Sequence, residues 1–208
     1  MNPFETRLLG NTGIKIPSLG FGGAPLGELF EKVEHLQAIE TLDVAYASGI
    51  RYFDTAPWYG HGLSERRLGN LLHQKNRNEF ILSSKVGRVY RPFKGDPVLF
   101  DGSPWVGGLP FEWNFDYSAA GFERSFLDST MRLGLNRIDL LVIHDLDRSY
   151  HGKSVSNKLQ ELETGMEWLK MMKNSAAIQA FGAGINDIEM IPLFLEHFEL
   201  DFFLVAMP

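Results

Sequence analysis

Short apolar runs alternate with apolar stripes at helical spacing along the whole chain. Leu8-Leu9 and Ile14/Ile16 flank a polar turn at Asn11-Thr12-Gly13, which predicts an opening hairpin within Thr6 to Gly20. Leu19 to Gly22 predicts a brief strand that runs into the Gly22-Gly23 loop. Val33, Leu36, Ile39, Leu42 and Ala45 recur every three residues and predict a helix that Gly49 stops. Ile50 to Asp54 reads as a second strand, followed by a helix marked by Leu68, Leu71 and Leu72 with Ser64 as its cap. Phe80 to Ser84 is a third strand ending at Lys85. After a long irregular stretch, Phe122, Phe126, Leu127 and Leu133 predict a helix closed by Gly134. Ile138 to Ile143 is a nearly pure apolar strand ending at His144. A helix carrying Leu159, Leu162, Met166, Leu169 and Met172 follows. Ile178 to Phe181 predicts a fifth strand leading into Gly182-Ala183-Gly184-Ile185-Asn186. Ile188 to Phe198 predicts a helix with Pro192 in its first turn, and Phe202 to Ala206 a sixth strand.

Strands alternating with helices predict βαβ units and a parallel sheet, and the unbroken apolar runs predict strands covered on both faces. An open wound sheet and a closed barrel both satisfy this pattern. The chain has 208 residues, 44% of them hydrophobic, enough to bury a sizeable core in one domain spanning 1–208. A net charge of −6 without clustered lysine or arginine argues against nucleic acid or an anionic membrane as partner. No stretch approaches the roughly 20 apolar residues of a membrane span, and the N-terminus carries no apolar signal core. With no cysteine, disulfides and thiolate metal sites are excluded; a reducing cytoplasm is permitted and is the expected location.

The polar residues that close the strands carry the chemistry. Asp54 ends the second strand, Lys85 the third and His144 the fourth, while Asn186 follows the fifth and the first runs into Gly22-Gly23. In a parallel sheet these ends share one face, and in a barrel they surround one mouth. Singly, each has an ordinary explanation: a helix cap, a solvated lysine, a satisfied core histidine. Tyr59 lies five residues past Asp54. A tyrosine, with an ordinary pKa of about 10, needs a nearby cation to exchange protons at neutral pH. Lys85 is expected to make Tyr59 more acidic, Asp54 to hold Lys85, and a neutral His144 to orient a substrate carbonyl. Such a set moves a proton but supplies no hydride, so a cofactor is implied.

The segments YFDTAPWYG, SSKVG, LLVIHD and LGFGGAPLG resemble the aldo-keto reductase superfamily, in order and over the whole chain. The resemblance implies a (β/α)8 TIM barrel closed below by an N-terminal β-hairpin, with about six of its eight barrel strands present. It implies Asp54, Tyr59, Lys85 and His144 as a catalytic tetrad and NAD or NADP bound at the mouth. It further implies Gly22 and Gly23, with Asp54, beside the cofactor and Asn186 near its carboxamide. Where the family typically has Ser-Asn, this chain has Ile185-Asn186. A full barrel takes about 250 residues, so the chain is expected to be shortened on its C-terminal side, where the family places its adenosine- and phosphate-binding elements. The segments KVGRVYRP, GGLPFEWNFDYS and HDLDR most resemble the D-threo-aldose 1-dehydrogenase, L-fucose dehydrogenase and pyridoxal 4-dehydrogenase group, which implies oxidation of a sugar hemiacetal or aldehyde.

Residues 87–117 are long for a loop and carry Tyr90, Phe93, Phe100, Trp105, Phe111, Trp113, Phe115 and Tyr117. A substrate-facing flap is the expectation, with Trp58, Trp105 and Trp113 as pocket walls; packing on outer helices is the alternative. His61 is a lesser candidate for approaching substrate, and His151 and His197 show no partner. The histidines are too scattered for a metal, and none is expected. Two other functions compete with the oxidoreductase: a Schiff-base enzyme using Lys85 as nucleophile, and a non-catalytic binding or regulatory protein on the same scaffold. The sequence does not choose between NAD and NADP, and it leaves the oligomeric state open.

Overall fold

The computed structural model describes residues 4–206. β1 (Thr6–Leu8) and β2 (Lys15–Pro17) form the antiparallel opening hairpin. The chain continues through β3 (Phe21–Gly22), α1 (His35–Ala47), β4 (Tyr52–Asp54), α2 (Leu63–Leu72) and β5 (Ile81–Val86). An inserted hairpin of β6 (Arg88–Pro92) and β7 (Phe111–Phe115) precedes α3 (Ala119–Leu133) and β8 (Leu140–His144). Then come the short α4 (Arg148–His151), α5 (Val155–Asn174), β9 (Ala180–Ile185), α6 (Met190–His197) and β10 (Phe202–Val205). β3, β4, β5, β8, β9 and β10 lie side by side in chain order, all parallel. A wound sheet reverses its strand order partway; this one does not, which leaves a curled six-stranded part of a (β/α)8 barrel.

Strand alternation separates two apolar layers. Phe53, Leu82, Leu141, Ile143, Phe181 and Ala183 face outward and pack under the helices against Leu68, Leu72, Phe122, Leu162 and Leu169. The residues one step earlier, Tyr52, Ile81, Leu140, Ala180 and Phe202, face inward. Leu9, Ile14 and Ile16 of the hairpin pack on that inner layer and floor the barrel, as the resemblance implied. Thr12 makes the hairpin turn possible: its hydroxyl donates to Leu9 O (2.6 Å) and accepts from Ile14 N (3.1 Å).

A buried carboxylate ties the strand starts together. Asp139 Oδ2 accepts from Leu82 N (2.8 Å) and Arg77 (2.6 Å), while Oδ1 accepts from Gln179 (2.8 Å). The ends of α3 obey local rules. Ser118 caps it by accepting from Gly121 N, and Gly134 leaves it in the left-handed region.

The inserted segment is stitched to the rest of the barrel. Val106 N donates to Glu28 O (2.9 Å), Phe30 N to Pro104 O (3.1 Å) and Leu109 N to Gly60 O (3.0 Å). Gly87 is what admits it. At φ +110 this residue turns the chain from β5 into β6, and any Cβ would sit 2.7 Å from the Tyr117 ring.

Four details depart from the sequence expectations. In α1 the buried positions are Ala38 and Leu42, whereas Leu36 is 73% exposed. A strict three-residue repeat slips about 60° per step around a helix, so it cannot hold one face. Ser64 does not cap α2. Gly62 does, and the Ser64 hydroxyl is buried, donating to Gly23 O (2.7 Å) and bonded to Thr55 Oγ1 (2.9 Å). β9 runs past the predicted end at Phe181 to Ile185, because Gly182 to Gly184 pair with both β8 and β10 and Ile185 with β10. His151 has a partner, the Tyr117 hydroxyl at 2.9 Å. Pro192 falls in the first turn of α6, as expected.

Asp139→Ala is expected to cost about 3–5 kcal/mol in urea unfolding, the scale for removing one partner of a buried ion pair, with Asp139→Asn costing less because it keeps an acceptor.

Candidate active site

Register places the strand-end residues on one face. Asp54 pairs with Ser83, Lys85 lies two residues beyond Ser83 and pairs with Val142, and His144 lies two beyond Val142. Steps of two keep a side chain on the same side of a sheet, so Asp54, Lys85 and His144 all point into the barrel near its C-terminal rim. The Lys85 ammonium donates to Asp54 Oδ2 (2.7 Å) and to Thr55 O (2.9 Å), and Ser83 Oγ donates to Asp54 Oδ1 (2.6 Å). Tyr59 arrives from the turn after β4. Lys85 Nζ sits 4.6 Å from its ring centre, and the His144 ring meets it edge to face at 6.0 Å. The four residues foreseen as a tetrad are therefore brought together.

Their electrostatics differ from expectation at one point. Lys85 is buried, which opposes its charge, yet Asp54 and Tyr59 outweigh that and hold the ammonium more firmly than in water. Tyr59 was expected to be unusually acidic. Instead burial pushes its phenol above the ordinary value: Lys85 pulls down, but the Asp54 charge beside it cancels part of that pull. Tyr59 is thus neutral at rest. His144 is held neutral, chiefly by burial and then by the positive charges of Arg88 and Lys85.

Arg88 is the residue beside the tetrad that sequence reasoning missed. It is essentially fully buried, donating to His144 Nδ1 (2.9 Å) and Asp145 Oδ2 (2.8 Å). Its guanidinium carbon lies 4.5–5.1 Å from the ring centres of Trp58, Trp113, Phe115 and Tyr150. The available signal was the pairing of an arginine just past a strand end with the carboxylates of His144-Asp145-Leu146-Asp147.

The remaining expected site residues separate. Asn186 stands exposed at the end of β9, and its Nδ2 donates to Asp145 Oδ1 (3.1 Å) and Asp147 Oδ2 (3.4 Å). A Cβ on Gly22 would meet nothing within 4 Å, so open space adjoins that strand end. Gly23 is small for a different reason: a Cβ there would sit 2.8 Å from both Asp54 O and Ser64 Oγ. Trp58, Trp105 and Trp113 form one cluster at the tetrad, with Trp58 4.9 Å from Trp113 and 5.7 Å from Trp105, and Trp105 5.6 Å from Tyr59. His61 is buried behind Trp58 and bonded to Gly102 O (3.2 Å). A groove of about 940 Å³ between α5 and α6 contains none of these groups. No helix among the described residues is long and apolar enough to cross a membrane.

The model of the aldo/keto reductase family matches residues 18–208. The pyridoxal 4-dehydrogenase of Microbacterium luteolum is 39% identical over 211 residues, covering 97% of this chain and 61% of that protein. The D-threo-aldose 1-dehydrogenase of Pseudomonas sp is 36% identical over 198 residues, covering 93% of this chain and 57% of that protein. Among solved structures, the holo form of an aldo-keto reductase from Bacillus halodurans superimposes with a TM-score of 0.73 at 24% identity, over 98% of this chain and 58% of that one. The chain thus spans about three fifths of the length of these relatives.

Acid lability follows from His144. The unfolded chain takes up its proton near 6.5 and the folded chain only well below that. Below 6.5 the unfolded state binds more protons, so stability present above that value is lost as the pH falls. Burial lowers His61 and His151 in the same sense. Urea midpoints measured from about pH 7.5 to 5.5 are expected to decline, and His144→Gln to shrink the decline.

Proposed function

The chain belongs to the aldo/keto reductase family, and on that premise we propose that it transfers hydride between NAD or NADP and a small aldehyde, ketone or sugar hemiacetal. One observation carries the reading: Asp54, Tyr59, Lys85 and His144 converge on a single rim, with their charges arranged for proton transfer. The mouth fits a nicotinamide. Open space adjoins Gly22 beside Asp54, and Asn186 stands exposed across the rim with its side-chain carbonyl free to accept. A bound nicotinamide would supply or accept the hydride, which no side chain can do.

The protein's own groups do the rest. Tyr59 gives its proton to the substrate oxygen as negative charge develops there, and takes it back in the reverse direction. Lys85 spends two N–H bonds on Asp54 and Thr55, leaving the third for the phenol oxygen of Tyr59. Neutral His144 donates a hydrogen bond to the same substrate oxygen and orients the carbonyl. Burial keeps Tyr59 protonated, so at rest it has a proton to give. The oxidising direction would need the phenolate, toward which the neighbouring Lys85 charge pulls Tyr59. Trp58 and Trp113, both partly exposed, wall the site and can meet a ring-shaped substrate, while the buried Trp105 backs Trp58 and Tyr59. The dehydrogenases of pyridoxal and of D-threo-aldoses among the relatives support an aromatic aldehyde or a sugar hemiacetal as that substrate. A Schiff base at Lys85 needs a neutral amine, whereas Asp54 and Thr55 hold it as ammonium.

The test is turnover of the full-length protein with aldehydes and aldoses against each cofactor. Tyr59→Phe is expected to lower kcat by about 10²–10⁴-fold, and Lys85→Met to act on kcat far more than on KM. Normal turnover in Tyr59→Phe, or a borohydride-trapped adduct on Lys85, would overturn the proposal.

A further inference from the structure

We infer that Arg88 is a positioning residue for His144: it fixes the imidazole as the tautomer with its single proton on Nε2 and keeps that ring from charging. The inference deepens the proposed function, and it rests on that reading only for its kinetic consequence. A guanidinium has donors and no acceptor, and it stays protonated in proteins. Its 2.9 Å bond to His144 Nδ1 therefore requires Nδ1 to accept. A neutral imidazole that accepts at Nδ1 carries its proton at Nε2, the nitrogen left to serve a substrate oxygen.

The second half of the role concerns Asp145, whose Oδ2 lies 3.4 Å from His144 Nε2. Unopposed, a carboxylate at that distance would draw a proton onto the imidazole and bind the Nε2–H itself. Arg88 prevents this by donating to the same Oδ2 at 2.8 Å. Asn186 Nδ2 takes the other oxygen of Asp145 at 3.1 Å.

The charged and titratable groups around His144 come from several elements. Lys85 faces it from β5, Arg88 from β6, Tyr59 from the turn after β4, and Asp145 from the end of β8. The Tyr117 hydroxyl donates to its carbonyl (3.0 Å) and links it to His151. Arg88 is the one that donates to Nδ1. A purely structural arginine would need only Asp145 and the aromatic cage. The second arm reaching His144 is what the cage orients.

The direct test is nitrogen-15 NMR of histidine-labelled full-length protein, from about pH 8 down to about 5.5, where an ordinary histidine charges. Expected for the wild type is an unprotonated Nδ1 and a protonated Nε2 at His144, unchanged across the range. Expected for Arg88→Met is a His144 signal that titrates within it, with kcat down roughly 10–100-fold and KM changed less. Arg88→Lys retains a donor and should restore the wild-type tautomer in part. A wild-type proton on Nδ1, or a charged imidazole at neutral pH, overturns the inference even if Arg88→Met does not fold. An unaltered His144 spectrum in folded Arg88→Met overturns it as well. A changed spectrum with unchanged turnover would uphold Arg88's hold on His144 and instead refute His144 as the carbonyl donor.

Discussion

The rim of this barrel is organised around the ion pair of Lys85 with Asp54. A lysine buried this deeply would ordinarily shed its proton; a carboxylate 2.7 Å away and a backbone carbonyl keep it charged. Across the mouth a second pair, Arg88 with Asp145, repeats the arrangement. Between the two stand Tyr59 and His144, both neutral at rest. Because each cation has its own anion, the mouth holds strong local dipoles without a large net charge. Such a medium would suit the proposed transfer, in which a proton and a hydride move together and net charge stays small.

Much of this was legible in the chain itself. Ile138 to Ile143 could hardly be anything but a buried strand, and a histidine at its end invited comparison with Asp54 and Lys85. The parallel pattern and the position of Pro192 were equally plain. Other features escaped for physical reasons. Tyr59 is less acidic than its cationic neighbour suggests, because the penalty of desolvating a phenolate depends on depth, which residue order does not encode. Ser64 looked like a cap since serine before a helix commonly is one. Its actual partners, Gly23 and Thr55, are distant in the chain or on another element. Arg88 hid in a segment rich in aromatic residues, where only three-dimensional packing shows which cation the rings enclose.

The two faces of the sheet divide the labour. Its outward layer and hairpin-sealed floor carry the apolar burial, while polar groups gather at the opposite rim. Glu65 shows how the layers communicate. It accepts from Ser84 on β5 and from Arg132 on α3, so the strand that presents Lys85 is braced from outside by two helices.

The stitching of the inserted segment has a consequence for traffic. Its backbone is bonded to the loop after β3 and to the turn that bears Tyr59. Swinging it aside would break those bonds and pull Tyr59 away from Lys85 and His144. It therefore serves as a fixed jamb rather than a door. The inserted segment and the turn that carries Tyr59 are thereby yoked, so that whatever shifts the one shifts the other.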